Sequence, residues 1–561
     1  MKEKKRIFLD NISQDFDYSN DLVIGPWCLK NNFSIDEIFN FKSKNIFFEN
    51  ELYNDPKNYQ SIENQHKRLL EDFAKYVKKK NSGDESINYY INFINFWFLY
   101  LIHILQFSAS IGNIYLERFR NQKIELVKYY KTDEIKFQNT YEFVYKTSLD
   151  ETWLSNLIFE FLKNNLPKNW EIKYLNFNKK ERVIPKQNFS ENIKNILNSY
   201  LAPRVKKVYG FSFFERVILS TFLLFKNPTK KNSKNQNYYT NVGFNNPQPI
   251  LSDNQLFELA KIYLPYSLKN IPHKKNLKTK NKGKIMLCSA TSLFFDEKDQ
   301  ADLFSFQENG GQIISVQHGA CYGDLYFPTS QIEYSFSRFI SWGHKSHPNL
   351  DSTFDPLPSP QLKKIKNDFK SEKILFVSTS GLFYVPRFGI RDFSDSYYRY
   401  KNTLLFFKHI NPDLIKNFEY KDMKPNHFSE VKSLKNNYKN LKFTSKKPEE
   451  NLGRVKLVII NNYSTFFYKS LVSNVPTILL TKKNTWKLNN QAKEIYDLFE
   501  EYQISFSDMA KAAEKINKKF DKIEEWWFSN DVQRVRKIFC DKYANYSKNY
   551  LKNWLTYLRR L

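Results

Sequence analysis

Apolar positions recur at helical spacing over residues of about 58 to 120 and 150 to 165, and Leu166-Pro167-Lys168 stops the second stretch. The first part of the chain therefore predicts helices packed over a sheet. Ahead of them, Leu22-Val23-Ile24-Gly25-Pro26-Trp27-Cys28-Leu29 is a short apolar run broken by Gly-Pro, the pattern of a buried strand ending in a turn. Ile87 to Leu116 carries no Asp, Glu, Lys or Arg and is long enough to span a bilayer. Yet Asn92, Asn95, His103, Gln106, Ser108, Ser110 and Asn113 interrupt it, and polar groups are costly at membrane depth, so a buried core helix is expected.

Farther along, the polar stretch from Asn227 to Gln248 reads as a loop. The basic run His273 to Lys280 reads as a solvated approach to a strand, with a phosphate-binding patch as the alternative. Short apolar runs then alternate with helical segments, as in a parallel sheet covered on both faces. Strands are expected at Ile285–Ser289, Gln312–Val316 and Phe339–Trp342. Asp351 to Pro360, with its prolines, is the expected linker, after which the alternation resumes at Ile374–Ser378, Val455–Ile460 and Thr477–Leu480. Met509 to Leu561 reads as helices throughout.

A chain of 561 residues exceeds what one core serves, so two or three domains are expected. Hydrophobic residues at 41% argue for a folded, enzyme-like body and against a disordered chain. The net charge of +28 favours anionic partners such as nucleotide-sugars or lipid headgroups, or else is simply a solvated surface. Its basic residues are dispersed and no nucleic-acid-binding motif is present, which argues against a nucleic-acid partner. Cys28, Cys288, Cys321 and Cys540 have no metal-ligand spacing, and no dinucleotide or P-loop fingerprint occurs, so neither a metal nor a redox cofactor is expected. Scattered cysteines, and an N-terminus whose positive charges precede no long apolar core, point to the cytoplasm.

The sharpest candidate is Gln317-His318-Gly319 with Tyr322-Gly323-Asp324, a polar turn closing an apolar strand. Ligands of open α/β sheets bind outside the carboxyl ends of strands, where His318 falls. There it would contact a phosphate or sugar oxygen or act as general acid or base; alternatively it merely caps the turn. Asp324 and Glu333 follow closely and are candidate carboxylate bases, or else a helix cap and a surface charge. Ser464 and Thr465 open a helix after a buried strand, where unpaired amides would hold a nucleotide phosphate; an ordinary N-cap is the plain alternative. Ser378-Thr379-Ser380-Gly381 is a third strand-to-turn junction of small residues.

Taken in order, Gly25-Pro26-Trp27-Cys28, Gln317-His318-Gly319 with Tyr322-Gly323, Ser341-Trp342-Gly343, Ser464-Thr465 leading to Asn474-Val475-Pro476-Thr477, and Glu525-Trp526-Trp527 resemble a bacterial family of transferases encoded among O-antigen, capsule and other surface-polysaccharide genes. Val532-Gln533-Arg534 and Phe539-Cys540 continue the similarity, which spans nearly the full chain. The resemblance implies a GT-B-like α/β fold, with two Rossmann-like domains facing a cleft. Residues 1–350 would form the acceptor-side domain with helical insertions, 361–508 the nucleotide-sugar domain, and 509–561 helices returning to the first. Gln317, Gly319 and Tyr322 would lie on the acceptor side, and Ser378, Thr379, Ser380, Ser464 and Thr465 on the donor side.

More distantly, the pattern is similar to transferases of CMP-activated acidic sugars such as Kdo and other nonulosonates. It implies a nucleotide-sugar donor, a glycan or lipid-linked glycan acceptor, and peripheral contact with the inner membrane. Such enzymes often carry His-Pro in the second domain and Glu on the helix after the Ser/Thr turn, where this chain has Lys424-Pro425-Asn426-His427 and Lys469. The missing glutamate leaves open a non-catalytic carbohydrate- or lipid-binding scaffold.

Overall fold

The computed structural model describes residues 4–40, 56–129, 136–149, 151–175, 200–226, 249–272, 281–325, 328–336, 338–346, 353–367, 370–379, 381, 393–423, 429–481 and 488–561. The 227–248 and 273–280 stretches read above as loop and strand approach lie outside these residues, as do 424–427.

Three parallel sheets follow one another along the chain. The first contains β1 (Lys5–Phe8), β2 (Leu22–Val23), β3 (Ile124–Tyr129) and β4 (Trp170–Leu175) in the order β2-β1-β3-β4. The second contains β5 (Val205–Lys206), β6 (Ile285–Cys288), β7 (Gln312–Val316), β8 (Arg338–Ser341) and β9 (Thr353–Pro356), in sequential order. The third contains β10 (Ile374–Ser378), β11 (Phe418–Asp422), β12 (Lys442–Phe443), β13 (Leu457–Ile460), β14 (Thr477–Leu480) and β15 (Ser505–Phe506), ordered β12-β11-β10-β13-β14-β15. Strands β6, β10, β13 and β14 are buried along their whole length, which is why they read as unbroken apolar runs.

The two expected α/β units are the second and third sheets, and the first sheet is an addition. Of the run Leu22–Leu29, only Leu22–Val23 is strand; Pro26–Leu29 is a helical turn, with Pro26 fixing its first position. The expected linker is also corrected, because Thr353–Pro356 forms the edge strand β9. Phe354 is buried against Tyr334 and Phe339, and Arg338 binds Asp355 at 2.8 Å. Proline is tolerated there because an edge strand has one unpaired side.

The Ile87–Phe119 helix is long and apolar enough to cross a membrane, but the apolar window that meets this test is wholly buried inside the protein. It packs between the first two sheets in a core that joins Ile7 and Phe8 to Met286, Cys288 and Ile313. Two of its polar interruptions are bonded within that core. Gln106 donates to Gln65 at 2.7 Å and to the Leu251 carbonyl at 2.9 Å, and Ser108 donates to the Ile104 carbonyl.

Past β15 the described chain is helical, and its last helix, Tyr550–Arg560, returns to the second sheet. Trp554 is fully buried there, with its indole N–H donating to the Pro358 carbonyl at 2.9 Å. Leu558 lies in the same core, with Val205, Leu219, Ile285 and Leu287.

Candidate functional site

In the third sheet the strand order reverses between β10 and β13. A crevice opens at the carboxyl ends of strands at such a point. Ser378 ends β10 and Thr379 follows it, and Asn461 to Thr465 follow β13. Ser464 caps the Thr465–Val472 helix, its hydroxyl accepting the Phe467 N–H at 3.4 Å. The turn after β7 meets this helix start directly: the Ala320 N–H donates to Thr465 Oγ1 at 3.2 Å. A Cβ on Gly319 would have Thr465 Oγ1 as its one close neighbour, at 3.5 Å. The His318 turn and the Ser464-Thr465 helix start, 145 positions apart in the chain, thus form one junction.

Gln317 braces the turn. It is buried, its amide donates to the Gly319 carbonyl at 2.8 Å, and its carbonyl accepts the Trp342 N–H at 2.8 Å. Gln361 donates to the His318 carbonyl at 2.7 Å. Gly323 is held at φ +84°, and a Cβ there would lie 2.6 Å from the His344 ring, so glycine is required.

His318 keeps 39% of its side chain exposed, and its Nδ1 lies 2.5 Å from the Tyr322 hydroxyl. That hydroxyl donates its proton to Glu333 Oε2 at 2.5 Å. Tyr322 has one proton to give, so Nδ1 must donate to the Tyr322 oxygen. In the neutral ring this arrangement leaves the lone pair on Nε2. Glu333 is buried and also lies 3.5 Å from the Ser315 hydroxyl. Its expected role as a base facing the acceptor is therefore corrected: it lies buried behind His318, bonded to the Tyr322 hydroxyl and with Oε1 3.9 Å from His318 Nδ1. Tyr322 itself is buried and part of this chain of bonds rather than of an acceptor surface.

Asp324 is corrected in the same sense. It is fully buried and accepts the hydroxyls of Tyr468 at 2.5 Å and Tyr496 at 2.9 Å, both from the third-sheet unit. Burial pushes its carboxyl up to about 6, against the opposing pull of these two hydrogen bonds. Around it, the Cys321 N–H donates to the Tyr468 hydroxyl at 3.1 Å, and the Asn489 N–H donates to the Asp324 carbonyl at 2.9 Å. Asp324 is thus a latch between the second and third sheets, with no face open to an acceptor.

At the end of β10, Ser378 is fully buried, donating to Glu430 at 2.5 Å and accepting from Asn461 at 2.7 Å. Burial raises the Glu430 carboxyl, while the hydroxyls of Ser378 and Tyr420 oppose that shift. Ser378 therefore supports the crevice floor and cannot touch a ligand. Thr379 is partly exposed; its hydroxyl accepts from Asn462 at 2.6 Å and its carbonyl accepts from Arg399 at 2.7 Å. Ser380 lies outside the described residues. Lys469, where the resemblance leads one to expect glutamate, binds Glu449 at 2.7 Å.

His318, Gly319, Thr379, Asn462, Ser464 and Thr465 are all partly exposed in this region. The sequence assigns no role to Asn462 or Gln361; Asn462 lies just ahead of Ser464 and Thr465, and its position after a buried strand was the available signal.

No curated protein matches the sequence. Among solved structures, the wall teichoic acid polymerase TagF aligns at 9% identity over 49% of this chain and 80% of its own, with a TM-score of 0.26. UGT89C1 of Arabidopsis thaliana, complexed with quercetin, aligns at 10% identity over 81% of this chain and 96% of its own, with a TM-score of 0.28. The family of LIC12162 family transferases matches residues 5–558, from the first strand to the last helix, and the chain belongs to that family.

Proposed function

We propose that this transferase moves a glycosyl group, a CMP-activated acidic sugar in our reading, from a nucleotide donor to a surface-glycan acceptor. The observation that carries the proposal is the junction at which the His318 turn meets the Ser464-Thr465 helix start. It puts a candidate base beside a helix N-terminus suited to phosphate. His318 Nε2 takes the proton of the acceptor hydroxyl, whose oxygen bonds the anomeric carbon as the bond from that carbon to the donor phosphate oxygen breaks. The leaving phosphate is stabilised by amides at the helix start, with Thr379 and Asn462 beside it. Glu333 and Tyr322 act as positioning residues by holding the His318 tautomer. In this reading no metal takes part, and the reaction belongs to the cytoplasm, consistent with four free cysteines.

A thermal-shift screen against CMP, UDP, GDP, ADP and dTDP, repeated with Ser464→Ala/Thr465→Ala and with His318→Ala, tests the assignment. The expected result is stabilisation by one nucleotide, lost in the 464/465 variant and kept in the His318 variant. Folded protein that responds to no nucleotide would support the non-catalytic scaffold instead.

A further inference from the structure

The Phe213–Phe225 helix, on the second sheet, fully buries only Leu219, Ser220 and Leu223. Phe214 is 76% exposed, Ile218 47% and Phe225 83%, and their spacing of four and seven lines them along one side. Leu224 is exposed beside them. The chain entering β5 adds Tyr200 and Leu201, both exposed, and is tied to the helix by the Arg204 N–H donating to Ser220 Oγ at 3.0 Å. Such a collection of large apolar side chains on a polar surface marks an interaction face.

Its surroundings are cationic. The Tyr550–Arg560 helix packs beside it, with Lys226 Nζ donating to the Leu558 carbonyl at 2.6 Å and the Arg559 guanidinium 6.0 Å from the Phe222 ring. Lys552, Arg559 and Arg560 are exposed. Glu215 is the one acidic residue in the two helices, and it is occupied by the Ser212 cap and the Tyr550 hydroxyl. Exposed aromatic and aliphatic side chains rimmed by Lys and Arg match the acyl and headgroup layers of an anionic bilayer.

We infer that this face, with the basic end of the Tyr550–Arg560 helix, docks on an anionic phospholipid membrane surface. The inference does not depend on glycosyl transfer. Docking would bring the second sheet, which carries His318, to the membrane.

Co-sedimentation of the full chain with phosphatidylcholine/phosphatidylglycerol vesicles, and with phosphatidylcholine vesicles alone, tests it. Binding is expected on the anionic vesicles, weakening as salt rises. Phe214→Ser/Phe225→Ser should lower affinity about 100-fold by removing two inserted rings. Arg559→Gln/Arg560→Gln should lower it about 30-fold on anionic vesicles. Both variants change exposed side chains, and an unchanged melting temperature would confirm that they fold. Wild-type protein left in the supernatant at low salt, or a Phe variant that binds like wild type, overturns the inference. So does a dimer in gel filtration that the Phe variant dissolves, since the face would then belong to a second copy of the chain.

Discussion

The Asp324 latch makes a pH-dependent contribution to stability whose sign and size follow from its burial. Its carboxyl rises to about 6 in the folded chain, against about 3.9 in an unfolded one. Between those values the folded state holds a proton that the unfolded state has lost. The folded state is therefore favoured by this group at low pH, and the advantage falls as pH rises from about 4 to about 6. Two units correspond to roughly 3 kcal/mol, with no further change above about pH 6.

Asp324→Asn removes the charge and keeps an acceptor for the Tyr468 and Tyr496 hydroxyls. Its NH2 group then replaces Oδ1, which accepts the Leu325 N–H at 3.1 Å, and that N–H loses its partner at a cost of about 1–3 kcal/mol. Near neutral pH the gain and the loss nearly offset, so the variant should match wild type within about 1–2 kcal/mol. Below about pH 4 it should be the less stable by about 1–3 kcal/mol. Urea midpoints for both proteins across this range read the effect as a difference curve, in which all other titrating groups are common. A difference that stays constant with pH would refute the assignment of the proton to Asp324.

Three further outcomes are expected. His318→Ala should lower kcat about 10²- to 10⁴-fold, whereas Tyr322→Phe, which cuts the link to Glu333, should lower kcat by a smaller factor with KM unchanged; steady-state kinetics with the donor from the nucleotide screen decide this. Gly319→Ala places a methyl group 3.5 Å from Thr465 Oγ1 without a positive-φ penalty, so it should leave the melting temperature unchanged while raising KM for donor or acceptor. Lys128→Ala removes the cation from the Asp10 carboxylate, which Lys128 binds at 2.7 Å in a nearly buried pair, and should cost about 3–5 kcal/mol in chemical denaturation while leaving KM unchanged in protein that remains folded.

The central strands were legible because burial on both faces leaves an unbroken apolar run, as in Ile285–Cys288, Ile374–Ser378 and Leu457–Ile460. Strands carrying charge were not: Lys5–Phe8, Trp170–Leu175 and Phe418–Asp422 mix Lys, Arg, Glu or Asp into four to six residues, and prolines disguised Thr353–Pro356. The first sheet, built largely from such strands, went unseen as a unit. At the site, strand-to-turn chemistry pointed to His318, Thr379, Ser464 and Thr465. It did not reveal that Asp324, Glu333 and Ser378 face inward, because a polar residue at a strand end turns towards solvent or core according to what packs against it. Tyr468 and Tyr496 decide that for Asp324, more than 140 positions away, as the separations of 144 and 172 residues show.

The first sheet supplies an internal comparison for the donor-site assignment. It too reverses its strand order, between β1 and β3, and so has the kind of switch point at which α/β sheets bind ligands. Its own side chains fill that point. Lys128 binds both Asp10 oxygens, at 2.7 and 2.9 Å, Ser155 donates to Asp10 at 2.7 Å, and the Tyr129 N–H reaches the same carboxylate at 3.0 Å. Charge and donors there are matched within the protein, with Lys128 only 5% exposed. The reversal in the third sheet is built differently: Ser378 and Glu430 are buried beneath it, while Thr379, Asn462, Ser464 and Thr465 remain partly exposed, Thr465 meeting the His318 turn through the Ala320 N–H. Of the two switch points, the third sheet's leaves polar groups facing outwards, which is why the proposed donor site lies there.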